Sequence, residues 1–83
     1  MNNNEIVIFS VSRTITQRIM NVLIERKLDI PVFEFRYSDV LDKAHEMIQS
    51  GTKIIISRGG TAALLRSNIT IPVIEIAHDF HGV

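Results

Sequence analysis

Two short segments of the chain hold side chains suited to gripping an anion: Ser10-Val11-Ser12-Arg13 and Ser57-Arg58-Gly59-Gly60-Thr61. Arg13 and Arg58 each carry a planar guanidinium able to bind a carboxylate or phosphate in a bidentate manner. Ser10, Ser12, Ser57 and Thr61 add hydroxyl groups, and the amides of Gly59, Gly60 and Thr61 add backbone donors at the start of a helix. The paired glycines stand where the chain must reverse, since without a Cβ they allow positive φ and close approach of another group. The bland reading of the same residues is a strand-to-helix turn with solvated arginines.

Other candidate chemistry is thinner. His78 and His81, with Asp79 between them, could ligate a metal, but three residues beside a terminus fall short of a closed ligand set, and no metal or cofactor is expected. His45 lies on a helical stretch between two apolar positions, at the flank of the core. No nucleophile pairs with a base, and neither Gly-x-Gly-x-x-Gly after the first strand nor a Walker lysine pattern is present. A phosphoacceptor receiver would carry acidic residues where this chain has Ser10 and Ser57.

The totals narrow the class. With 83 residues, 46% hydrophobic and 22% charged, the chain fits one small globular unit with a thin core. Nine basic and nine acidic residues cancel, so the positive footprint of a nucleic-acid binder is missing and no direct nucleic-acid contact is expected. The absence of cysteine removes disulfides, thiol catalysis and cysteine-based zinc sites. Met1-Asn2-Asn3-Asn4 is a polar start with no signal-peptide core behind it, and no stretch reaches the length of a membrane span. A cytoplasmic protein without membrane contact is therefore expected, and Asn68-Ile69-Thr70 is read as an incidental glycosylation triplet.

Periodicity supplies the elements that must position those residues. Ile6-Val7-Ile8-Phe9 reads as a buried first strand. From Thr14, the residues Ile15, Ile19, Val22 and Leu23 repeat on one helix face, ending near Lys27; Thr14 and Gln17 have capping-box spacing, with Ser12 the competing N-cap. Val32 to Phe35 is the second strand, and Pro31 and the charge of Glu34 mark it as an edge. Arg36 to Asp39 is a polar turn, with Ser38 or Asp39 as N-cap. Val40, Leu41, Ala44, Met47 and Ile48 form a second helical stripe stopped at Ser50-Gly51. Ile54-Ile55-Ile56 suits a strand buried on both faces. A short helix over Thr61 to Ser67 with Asn68 as left-handed stop, then a strand over Val73 to Ile76, complete the order.

Alternation of strands and helices predicts an α/β fold: a three-layer, Rossmann- or flavodoxin-like β-α-β-α-β-α-β winding of a four-stranded parallel sheet in the order 2-1-3-4. Residues 1–4 are expected to be a disordered tail, 5–76 a single lobe and 77–83 a C-terminal segment. The topological switch then falls between the first and third strands, where ligands bind beyond the carboxyl ends. The two segments named at the outset flank that point. Arg36 and Tyr37 border the same rim, but on an edge strand they are expected to be plain surface.

The run Ile55-Ile56-Ser57-Arg58-Gly59-Gly60-Thr61-Ala62, followed by Ile71-Pro72-Val73-Ile74-Glu75-Ile76, resembles the N-terminal sensory domain of the propionate catabolism activators. These are sigma-54-dependent, NtrC-type bacterial transcription regulators. The resemblance implies half of a two-lobed α/β effector sensor, which in its best-known members responds to a small tricarboxylate such as methylcitrate. It also implies an AAA+ ATPase and a helix-turn-helix DNA-binding domain further along, and a second lobe after residue 83. A ligand-binding role carries over from the motif to Ser57, Arg58, Gly59, Gly60 and Thr61 only; Ser10, Ser12 and Arg13 join them by geometry.

The expected function is thus a non-catalytic, cytoplasmic effector-sensing domain that binds a carboxylate- or phosphate-bearing small molecule. A homo-oligomer is expected too, since a four-stranded sheet taken from a larger body leaves apolar surface open. The alternatives are a small α/β enzyme acting on a phosphorylated or carboxylated metabolite, and a ligand-free dimerisation lobe.

Overall fold

The computed structural model of the chain describes residues 4–76. Along these residues run β1 (Ile6–Ser10), α1 (Arg13–Arg26), β2 (Val32–Glu34), a 3₁₀ turn (Tyr37–Asp39), α2 (Val40–Gln49), β3 (Ile54–Arg58), α3 (Gly59–Asn68) and β4 (Val73–Ile76). The strands form one parallel sheet in the order β2-β1-β3-β4. Fold class and strand order are as the sequence predicts, including β2 at an edge.

Register decides which residues share a face. Val7 stands beside Ile55, and Ile55 beside Val73, so these point to one side with Phe9, two residues on from Val7. On that side α2 and α3 lie next to each other. Val7, Phe9, Ile55, Val40 and Ala44 of α2, and Leu65 of α3 make the buried cluster, with Phe33, Phe35 and Val73 packed against it. The Phe9 and Phe35 rings meet edge to face with centroids 5.0 Å apart, an arrangement worth about 0.5–1.5 kcal/mol beyond area burial.

Among the described residues, α1 is the one helix on the opposite face. Ile8 is buried there, but Ile54 and Ile56 of β3 are only partly buried and Ile74 of β4 is half exposed. The isoleucine run is therefore fully buried on one face, not on both as expected, because no second helix lies beside α1 over β3 and β4 among the described residues.

The helix ends show where local signals hold. Ser12 caps α1, its hydroxyl accepting a hydrogen bond from the Ile15 amide at 3.4 Å, while Thr14 lies inside the helix. The competing cap wins. At the other end Lys27 adopts φ 58, its amide donating to Ile24 and that of Leu28 to Leu23, the Schellman pattern. Gly51, at φ 115, closes α2 in the same way, with Gly51 donating to Ile48 and Thr52 to Met47. Asp39 precedes α2 without a side-chain cap bond, since the 3₁₀ turn runs directly into the helix. Asn68 does not stop α3 in a left-handed conformation. It remains helical, its side-chain amide donates to the Leu64 carbonyl at 2.8 Å, and Ile69 leaves in an extended conformation. His45 is exposed on α2 rather than flanking the core, and His78, Asp79 and His81 lie outside the described residues.

Candidate anion-binding site

β3 delivers Arg58 to the carboxyl edge of the sheet in an extended conformation, φ −141 and ψ 157, and α3 begins at the next residue. Gly59 takes φ 56, which turns the chain from strand to helix at once. A left-handed residue running into a right-handed helix makes successive N–H groups converge, the concavity that favours anions. No side chain caps α3 and its first turn holds no acidic residue. The amides of Gly59, Gly60 and Thr61 therefore offer partial positive charge to the space in front of the helix.

That space is a cleft of about 400 Å³. The segment from Ser57 to Thr61 forms one side, and Val11, Ile15 and Tyr37 form the rest. It sits between the ends of β1 and β3, at the switch point of the winding, where the strand order predicts a site. Arg58 is partly buried and takes part in no ion pair with any described residue. Thr61 is only 5% exposed and lines the cleft. A cation and a hydroxyl thus share the cleft with three backbone donors.

The remaining residues named from sequence are engaged elsewhere. Ser57 is buried and its hydroxyl donates to the Phe9 carbonyl at 3.1 Å, joining β3 to β1. The Ser10 hydroxyl donates to the Ser12 carbonyl at 3.0 Å, accepts from the Ser12 amide at 3.3 Å, and lies 2.9 Å from the Thr16 hydroxyl. This network shapes the β1–α1 loop from within. Ser12 is occupied as the N-cap, and Arg13 reaches across to Glu34, its Nε donating to Oε1 at 3.2 Å with the side chain largely exposed. None of Ser10, Ser12 and Arg13 lines the cleft; the loop contributes Val11 instead.

Tyr37 lines the cleft where a plain surface position was expected. The 3₁₀ turn after β2 brings Tyr37 to the cleft, a turn type that the polar run Arg36 to Asp39 did not reveal. Arg36 does not line it. Among the described residues no group of three or more metal-ligating side chains comes together.

No significant match to the chain is found among curated proteins or among solved structures. A family model does match, that of the propionate catabolism activator, over residues 24–80. The match takes in Tyr37 and the whole Ser57 to Thr61 turn and begins after the β1–α1 loop. By that match, which spans more than half of its residues, the chain belongs to the propionate catabolism activator family.

Proposed function

We propose that the chain is the effector-sensing part of a sigma-54-dependent transcription regulator, binding a small carboxylate or phosphate without acting on it chemically. The observation that carries this reading is the Arg58 guanidinium, free of ion pairs among the described residues, beside the uncapped start of α3 and inside a cleft at the switch point. Family membership supports a regulatory role for the domain. In the proposal Arg58 clamps one carboxylate or phosphate, the amides of Gly59, Gly60 and Thr61 receive its oxygens, and the Thr61 hydroxyl adds a further donor. Ser10, Ser12 and Ser57 act indirectly by fixing the two loops, and Arg13 by tying α1 to β2. An ATPase and a DNA-binding domain elsewhere in the regulator would read the occupied state.

Isothermal titration against a panel of mono-, di- and tricarboxylates and inorganic phosphate tests the reading. Arg58→Ala is expected to weaken binding at least about tenfold, the worth of a hydrogen bond to a charged group at about 1.5–3 kcal/mol. Equal affinity in the variant would remove Arg58 from the site.

The half-open isoleucine face favours a second reading, in which the lobe also associates with another copy of itself. The two readings concern different surfaces and are compatible.

A further inference from the structure

Register sets three polar side chains in one row along the carboxyl edge of the sheet. Ser10 of β1 pairs with Glu34 of β2, and Ile8 pairs with Ile56, so Arg58, two residues on from Ile56, stands beside Ser10. By the alternation of a strand, Glu34, Ser10 and Arg58 point to the face that α1 covers, with Glu34 and Arg58 about 10 Å apart across two strand spacings. The start of α1 lies over this row. Its Thr16 hydroxyl is 2.9 Å from that of Ser10, and its Arg13 donates from Nε to Glu34 at 3.2 Å. Val11 and Ile15, two residues to either side of Arg13, both line the cleft, so the Arg13 backbone stands at its rim while the side chain reaches to β2.

The pair with Glu34 is a loose one. The Arg13 side chain is 79% exposed and that of Glu34 34%, and an ion pair so open to water gains little. It is made through Nε, whereas the firmest hold of a guanidinium on a carboxylate uses two parallel N–H groups. A cation at the first position of a helix also works against the dipole, so stability of α1 gives no reason for arginine there. Arg58, meanwhile, is the one cation lining the cleft among the described residues. A ligand with several acid groups would have one of them met at Arg58 and the next without a counter-charge, beside an arginine held by a weak partner.

Resting on the anion site proposed above, we propose that Arg13 is a second anchor, exchanged between Glu34 and the ligand. An effector with two or more carboxylate or phosphate groups sets one at Arg58 and the amides of Gly59 to Thr61, and its next group displaces Glu34 from the Arg13 guanidinium. Glu34 is left solvated on the edge strand. It is thus an internal competitor that lowers affinity for polyacids, while a single acid held at Arg58 does not meet it. The exchange also unties α1 from β2, so the edge strand registers occupancy of the switch point.

Amide-resonance titration of the chain with citrate and with acetate tests the exchange. Both acids are expected to shift Gly59 and Gly60, and citrate alone to shift the Glu34 amide and the Arg13 Nε–H. Glu34→Gln is expected to raise citrate affinity about two- to fivefold, the range that an exposed ion pair sets, with a smaller change for acetate. Arg13→Ala should lower citrate affinity at least about fivefold more than acetate affinity, and adding Glu34→Gln to it should bring no gain. That double variant separates exchange from a general rise in positive charge, which would raise affinity with or without Arg13. Unchanged citrate affinity in Glu34→Gln, or an equal gain in the double variant, would overturn the exchange, and the anion site stands if Arg58→Ala still abolishes the shifts of Gly59 and Gly60. If neither acid moves those amides, both readings fall.

Discussion

Gly59 and Gly60 look equivalent in the sequence, yet only Gly59 has positive φ, and a Cβ at either position would meet nothing within 4 Å. The two substitutions to alanine therefore separate backbone strain from space. Gly59→Ala is expected to destabilise by about 1 kcal/mol through the left-handed conformation alone, with no clash to add. Gly60→Ala should be neutral or slightly stabilising, because alanine is the better helix former. Its methyl group would nevertheless stand at the cleft, so it should weaken ligand binding with the fold intact. Urea midpoints and titrations of the two variants check this, and equal destabilisation by both would contradict the assignment of strain to Gly59. At this scale the Ser57 to Thr61 turn was legible from residue types, and the other wall of the cleft was not. Arg58 and its glycines announce a turn by residue type, whereas the pairing of Arg13 with Glu34 is a contact across 21 positions that no local pattern encodes. Tyr37 was missed for a similar reason: its part in the cleft depends on a 3₁₀ turn and on the neighbouring end of β3, not on its own neighbours in sequence.

Among the elements, α1 carries the clearest local conflict. Its stop is a Schellman turn whose left-handed residue is Lys27, the one non-glycine residue with positive φ among the described residues. Lysine suits the negative end of the helix dipole, but its Cβ is strained in that conformation. Lys27→Gly is expected to stabilise by about 0.5–1 kcal/mol after loss of the dipole term, which in a domain this small raises the melting temperature by about 2–8 °C. Lys27→Ala loses the charge and keeps the strain, so it should give no gain. Thermal unfolding followed by circular dichroism distinguishes the two; a gain in both would point to the charge instead. The elements were otherwise readable where one signal dominated. Charge and proline marked β2 as the edge strand, and helical spacing gave α1 and α2 nearly to their ends. The start of α3 was placed at Thr61 because Gly59 and Gly60 read as turn, whereas the helix begins at Gly59, its left-handed first residue, and its end was misjudged because the amide of Asn68 bonds back to Leu64 instead of favouring a left-handed stop.

Over the whole molecule the two faces of the sheet are unequal. Cross-strand register sets Ile8, Ile56 and Ile74 in one row, and Ile6, Ile54 and Ile76 alternate onto the same face as that row. α1 shields Ile8, while Ile6 is 41% and Ile74 50% exposed. The described residues extend 33 × 31 × 19 Å, a flat shape that fits a sheet with two helices on one side and a single helix on the other. Parallel sheets are ordinarily covered on both faces, and an open row of isoleucines is a surface on which another body gains by burying apolar area. Self-association of the 83-residue chain is therefore expected to strengthen with concentration and to persist in high salt, since burial of apolar surface is not screened as charge pairing is. Ile74→Lys tests the surface directly. A lysine on an edge strand is a usual guard against association and should leave the fold intact, while the desolvation of its charge would oppose burial of this face. Sedimentation equilibrium should show the association weakened at least about tenfold in the variant, given roughly 1.5–3 kcal/mol for a fully buried isoleucine side chain, with an unchanged circular dichroism spectrum. A wild-type chain that stays monomeric at millimolar concentration, or a variant that associates equally well, would mean that the isoleucine row does not drive association between copies.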